Sequence, residues 1–246
     1  MKIKNFSLCS LLFFILLTIN SIIIENVYGY NVGIAQNQNL IWKCNVSNKF
    51  EMNALFGSTW DDSGIFKNLS KGKRMKWEIN KVKINETFIS VNISLWQWTF
   101  EKNWGIKDDN FQTIYFSNPG DYSQELNFSS TTSLVPFWFP APVGEFLGEL
   151  DLNNWYDVDN RVLPTLNVEI VKGDIGPNLP AKNIHIIAIY NDQGILDSYK
   201  LYTKGNVVII DISLEHLPFY VLPTLITLIL IFSLTVIFYI YKKRKK

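Results

Sequence analysis

The feature that most limits what this chain can become lies at its end. Leu217 to Tyr241 contain no charged side chain, and Lys242-Lys243-Arg244-Lys245-Lys246 follow at once. A helix of about 25 residues, rising 1.5 Å per residue, exceeds the roughly 30 Å hydrocarbon core of a bilayer and spans it with some tilt. Tyr220 falls near one expected interface, and Tyr239 and Tyr241 near the other, as in an aromatic belt. Pro218 and Pro223 sit in the first turns, where a missing N–H costs least. Five consecutive cations stop transfer and favour the anionic inner leaflet, which predicts a cytoplasmic tail at 242–246. A buried core helix would not end on such a run.

The other end carries a second apolar segment. Met1-Lys2-Ile3-Lys4 is basic, Leu8 to Ile24 is apolar, and Val27 and Gly29 place small residues near a cleavage point. That pattern predicts a secretory signal peptide over 1–29, with an uncleaved anchor as the alternative. The expected organisation is therefore signal peptide 1–29, extracellular domain 30–216, membrane helix 217–241 and basic tail 242–246. It describes a single-pass protein of the cell membrane with its N-terminus outside.

This division uncovers the charge. The segment 30–216 keeps 16 of the 23 basic and 21 of the 22 acidic side chains, a net charge of about −5 hidden by the tail. An acidic domain argues against nucleic acid as a partner, because neutralising phosphates supplies most of that affinity. About 187 residues suffice for one core and suggest one domain. Without residues 1–29 only Cys44 remains, so no disulfide within the chain is available. Leu40, Trp42 and Val46 share its parity, which predicts a buried apolar thiol.

Alternation then marks strands: Leu40 to Val46, Gly72 to Ile84 with a phase change near Asn80-Lys81, and Ile89 to Leu95 after an Asn85-Glu86 turn. Weaker strand patterns cover Gln112–Phe116 and Tyr122–Phe128. Lys49 to Trp60 allows a short helix before Gly57. Leu166–Val171, Ile184–Tyr190, Ile195–Tyr202 and Val207–Ile212 read as strands, the last three forming a meander through Asn191–Gly194 and Lys204–Asn206 turns. Val143, Phe146, Leu147 and Leu150 share one face of a helix that Pro142 can open. The expected fold is mainly β: a curved antiparallel sheet or sandwich with one amphipathic helix, plus the C-terminal transmembrane helix.

"VPFWFPAPVGEF" (Val135–Phe146) crowds aromatics between prolines. Pro136 and Pro140 bar regular helix and central-strand pairing across Phe137–Phe139. The segment is either a rigid plug that fixes the helix over the sheet, the lip of an apolar cavity, or a membrane contact. In the cavity reading Phe137, Trp138, Phe139 and Phe146 form the rim.

Other clusters point less far. Lys71, Lys73, Arg74 and Lys76 read as a solvated hairpin end and strand face. Asp61-Asp62, Asp108-Asp109 and "DVDNR" (Asp157–Arg161) have too few oxygen ligands at the right spacing for calcium, Arg161 taking one such place. His185 and His216 alone cannot furnish a triad or a zinc site, and no nucleophile elbow, phosphate loop or H-E-x-x-H is present. No catalytic, cofactor or metal residues emerge, and the chain does not read as an enzyme. Asn45, Asn68, Asn85, Asn92 and Asn127 each begin an N-glycosylation sequon, with Asn85 and Asn68 the most plausible acceptors.

"GKRMKWEINKVKINETFISVNISLW", "FPAPVGEFLGEL" and "YNDQGILDSYKLYTKG" together resemble a large set of uncharacterised secreted or membrane-anchored surface proteins of Asgard (Lokiarchaeia-type) archaea. The resemblance implies a cell-surface setting, and it carries no reaction and no catalytic residues. Three functions follow in order of expectation. The first is a tethered recognition or structural module that meets a surface protein, a glycan or neighbouring copies. The second is a binder of lipid or another apolar small molecule, held between sheet and helix. The third is a glycan hydrolase acting through carboxylates that the sequence does not single out.

Overall fold

The computed structural model of the protein describes residues 29–101, 103–203 and 207–216, together with residues 227, 229 and 231–236. The expected signal peptide lies outside the described residues except for Gly29. The basic tail lies outside them too, and so does most of the expected transmembrane helix, whose described residues are helical. Among the described residues no helix is long and apolar enough to cross a membrane.

Nine strands form one antiparallel sheet: β1 (Asn39–Ser47), β2 (Arg74–Ile84), β3 (Phe88–Thr99), β4 (Asp109–Phe116), β5 (Tyr156–Asp159), β6 (Thr165–Ile170), β7 (Ile184–Tyr190), β8 (Leu196–Thr203) and β9 (Val207–Leu214). Their order is β4-β3-β2-β1-β9-β8-β7-β6-β5. The chain thus starts in the middle and steps outward to β4. It then returns over residues 117–155 to the opposite edge and steps back to finish beside its start. The domain also holds two short helices, α1 (Lys49–Phe56) and α2 (Val143–Glu149), and two single 3₁₀ turns among its described residues. The fold is mainly β, and among the described residues it is one open sheet rather than a sandwich.

Local chemistry explains the register. The phase change in β2 is a bulge, since Ile79 faces Ile93 while Lys81 faces Asn92. The extra residue, Asn80, turns its side chain to Ser94, and Ser94 in turn donates to Asn110 of β4 at 2.8 Å. The Asn85 side chain accepts from the Thr87 and Phe88 amides, closing the β2–β3 turn in Asx fashion. One face of the sheet is therefore polar. The other buries Leu40, Trp42, Met75, Trp77, Ile93, Val168, Ile186 and Leu201, and among the described residues no further strand pairs with either edge.

Two strand assignments need correction. Tyr122–Phe128 is not a strand; Leu126 makes only an isolated bridge to Leu152. The chain leaves the sheet after β4 at the 3₁₀ turn Pro119–Asp121, and Tyr122–Phe128 follows outside it. Conversely, Tyr156–Asp159 is strand β5, although four residues starting a calcium-like string gave no alternation long enough to read.

The return segment covers the apolar face. Trp42 and Trp77 meet the Phe137 ring at 5.2 and 5.7 Å, and Tyr115 meets Trp138 at 5.3 Å and Phe146 at 5.7 Å. An extended, proline-broken chain buried this way has carbonyls to satisfy. Four tyrosines supply the donors. Tyr199 donates to the Ser133 carbonyl, Tyr156 to Leu134, Tyr190 to Pro136 and Tyr115 to Trp138, at 2.7 to 3.2 Å. Burial holds all four phenols above their ordinary pKa, that of Tyr156 at about 12, so each remains a donor.

The β7–β8 turn completes the clasp. Phe139 N–H donates to Gly194 O, Leu196 N–H to Phe137 O, and the Trp42 indole to Leu196 O at 2.7 Å. Gly194, at φ +81°, approaches so closely that a Cβ there would lie 2.0 Å from Phe139 O. Beyond the clasp, α2 buries Val143, Phe146 and Leu147, three residues of the apolar face read from its spacing. A seven-residue helix has little stability of its own, so this packing holds it in place.

Candidate functional site

The aromatic segment is both plug and wall. Phe137, Trp138, Phe139 and Phe146 are 4, 1, 0 and 0% exposed. Phe139 and Phe146 sit deep, Phe139 against Tyr190 and Phe128, and Phe146 against Tyr30. Phe137 and Trp138 instead line a cavity of about 320 Å³. The structure therefore places two of the four expected rim residues at a cavity and two in the core behind it.

The rest of the cavity wall comes from two strands, one 3₁₀ turn and further residues of the return segment. Trp77 belongs to β2, Phe111, Thr113 and Tyr115 to the inward face of edge strand β4, and Phe128 and Val135 to the return segment. Ile65, within the 3₁₀ turn Gly64–Phe66, closes one side. The space lies between edge strand β4 and the chain that crosses over it. Its volume is at the lower end of ligand pockets and equals about ten waters.

Polar atoms without partners gather here. Among the described residues, buried side-chain atoms lacking any hydrogen bond include Trp77 Nε1, Thr113 Oγ1 and Trp138 Nε1, all on residues lining the cavity. Gln97 Oε1 is in the same state and lines a neighbouring cleft. Trp138 Nε1 faces the Gly194 turn, 3.3 Å from where a Cβ on Gly194 would stand. Most buried polar groups in folded proteins are paired, and these atoms lie within the wall rather than on the surface of the cavity.

The neighbouring cleft, of about 570 Å³, shares Ile65, Phe111 and Thr131 with the aromatic cavity. Asp62, Asp108 and Asp109 line it with Lys67, Gln97 and the hydroxyls of Ser130 and Thr132. Asp108 accepts from the Gln97 amide at 2.9 Å, and Asp109 from the Asn110 amide at 2.7 Å. None of the three carboxylates makes an ion pair among the described residues.

The remaining candidate residues lie elsewhere. Asn68, Asn85 and Asn127 are exposed in loops and turns. Asn45 instead donates to Asp211 at 3.1 Å and Ser213 at 2.9 Å on the polar face, and Asn92 is half-buried within β3. Lys76 stands 3.4 Å above the Trp96 ring and 3.7 Å from Glu78, while Arg74 pairs with Glu215 at 3.6 Å. Asp61 pairs with Lys49, and Asp159 with Arg161. No group of three metal-ligating side chains occurs among the described residues. Cys44 is fully buried, and loss of solvation pushes its thiol up to about 12. Compared with protein-family models, curated proteins and solved structures, the chain matches none.

Proposed function

We propose that the protein is a single-pass, membrane-anchored cell-surface protein whose 30–216 domain is a recognition module that binds without turnover. Its ligand site is the aromatic cavity beside β4. The anchoring rests on the uncharged run before Lys242–Lys246 and on the N-terminal apolar segment. The recognition reading rests on one observation, the roughly 320 Å³ cavity walled by Trp77, Phe111, Phe137 and Trp138. An apolar body of about ten carbon-sized groups fits the space. The partner is then a lipid or another apolar small molecule, and no nucleic acid or cofactor enters the proposal.

Native mass spectrometry of the full chain released from nanodiscs, with organic extraction of what co-purifies, tests this reading. A retained apolar mass that disappears when Thr113→Leu fills the cavity supports it. Retention unchanged by that substitution would place the ligand elsewhere and overturn it.

A further inference from the structure

Resting on the anchoring half of that reading, we infer that one end of the sheet is held against the outer-leaflet head groups of the protein's own bilayer. The surface that meets them is an uncharged, amide-rich edge beside the end of β9. That strand stops at Leu214, and the uncharged run opens at Leu217. Three residue steps cover at most about 10 Å of chain. The head-group layer on each side of the hydrocarbon core takes up roughly 5–8 Å of that. The end of β9 therefore stands at the membrane surface, with no stalk to lift it away.

The connection is also fastened. The Glu215 amide donates to Ile41 O at 2.7 Å, so pairing with β1 runs on past Leu214. The Glu215 carboxylate pairs with Arg74 of β2 at 3.6 Å, and His216 pairs with Asp197 of β8. Register decides which residues share this level. Trp42 of β1 faces Leu214 and Ser198 of β8 faces Ser213, so the chain before β1 and the β7–β8 turn lie on the membrane side. Gln38 Nε2 and Gln193 Oε1 meet there at 3.5 Å. Neighbouring strands are about 4.8 Å apart, so both segments flank the point of entry closely.

The composition of this edge suits that place. Residues 30–42 carry no charge, Ala35, Gln36, Asn37 and Asn39 are exposed, and the turn 191–194 carries only Asp192. Side-chain amides donate and accept hydrogen bonds without a charge that would tie them to anionic lipid. The bilayer is thus met by a neutral edge outside and by the basic run 242–246 inside.

A fluorophore on Gln36→Cys or on Val207→Cys reports the orientation, in a Cys9→Ser background with Cys44 buried. Val207 is exposed at the far end of β9, about 23 Å along the strand from Leu214. The full chain is placed in nanodiscs of uncharged lipid containing a head-group nitroxide quencher. Gln36 emission should fall about twofold or more and Val207 emission should hold, because only the first lies at head-group depth. Adding anionic lipid should change neither result. A flexible spacer of about nine residues after His216, with a mean span of roughly 15–18 Å, should relieve the quenching at Gln36. If both labels quench alike, if Val207 quenches more, or if the spacer changes nothing, the inference is wrong while the anchoring stands. A Gln36 label untouched by the nitroxide yet shielded from iodide would put a second copy on this edge and likewise overturn it. A chain that does not co-elute with nanodiscs would bring down the anchoring and the inference together.

Discussion

The two arms of the sheet solve the same packing problem with different side chains. On the β6–β8 arm the inward residues are mostly aliphatic, Leu166, Val168, Ile170, Ile184, Ile186, Ala188 and Leu201 alongside Tyr190 and Tyr199, all fully or nearly fully buried. On the β2–β4 arm they include Trp77, Phe111, Thr113 and Tyr115, and the cavity and the unpaired Trp77 and Thr113 atoms lie there. Branched aliphatic side chains have few rotamers and fill a pleated surface densely. Large rings stand at fixed angles to one another and leave gaps where their edges meet. The first arm is built as a core, while the second is built with room in it.

The comparison can be broken by substitution. The largest effect is expected where the return segment joins the arms: Trp138→Ala should cost about 3–5 kcal/mol, read as a fall in thermal midpoint, because it empties a fully buried site. Ile186→Ala, on the dense arm, should cost about 2–5 kcal/mol, whereas Phe111→Leu, on the open arm, should cost less than about 1.5 kcal/mol. Equal losses at Ile186 and Phe111 would show that the arms are packed alike.

A smaller effect of opposite sign sharpens the contrast. Thr113→Val removes a buried hydroxyl that has no partner, so denaturant unfolding should show unchanged stability or a gain of about 1 kcal/mol. A clear loss would mean that the hydroxyl is satisfied in solution and that the cavity is wet.

The smallest effect lies outside both arms. Hydrogen bonds from the Arg161 guanidinium and amide bring Asp159 down to about 2. A depressed carboxylate adds stability above its ordinary pKa of about 3.9 and loses it as the pH falls through about 2. The pair is open to solvent, so the readout is titration by NMR rather than unfolding. Arg161→Gln should return the Asp159 midpoint to the ordinary range.

Most strands were legible because each alternates over five or more residues and one face is buried, which fixes register. Even the β2 bulge showed, since Met75, Trp77 and Ile79 keep one parity and Val82 and Ile84 the other. Strand β5 was not legible, being four residues long and read as a possible ion loop. Tyr122–Phe128 misled because its alternation is local: past the turn at Pro119 the chain has left the sheet, and Leu126 makes only the isolated Leu152 bridge. At the candidate site, the aromatic segment stood out by its prolines, and two of its four expected rim residues line the cavity. Trp77, Phe111, Thr113 and Tyr115 went unread as site residues because an inward aromatic on a strand looks the same whether its neighbour is a packed side chain or a gap. The tyrosine signal was available: four inward tyrosines on four strands are four buried hydroxyls in need of acceptors.

The sequence by itself determined the charge partition between the acidic stretch 30–216 and the basic run 242–246, Cys44 as the one cysteine of that stretch, most strand positions and the apolar face of α2. All of these depend on neighbours within a few residues. Only the tertiary structure decided that β1 pairs with β9, that residues 117–155 cross the apolar face under four tyrosine hydroxyls, and that a cavity opens beside β4. Those features depend on which side chains meet across long stretches of chain, and no period in the sequence encodes the distance between two faces.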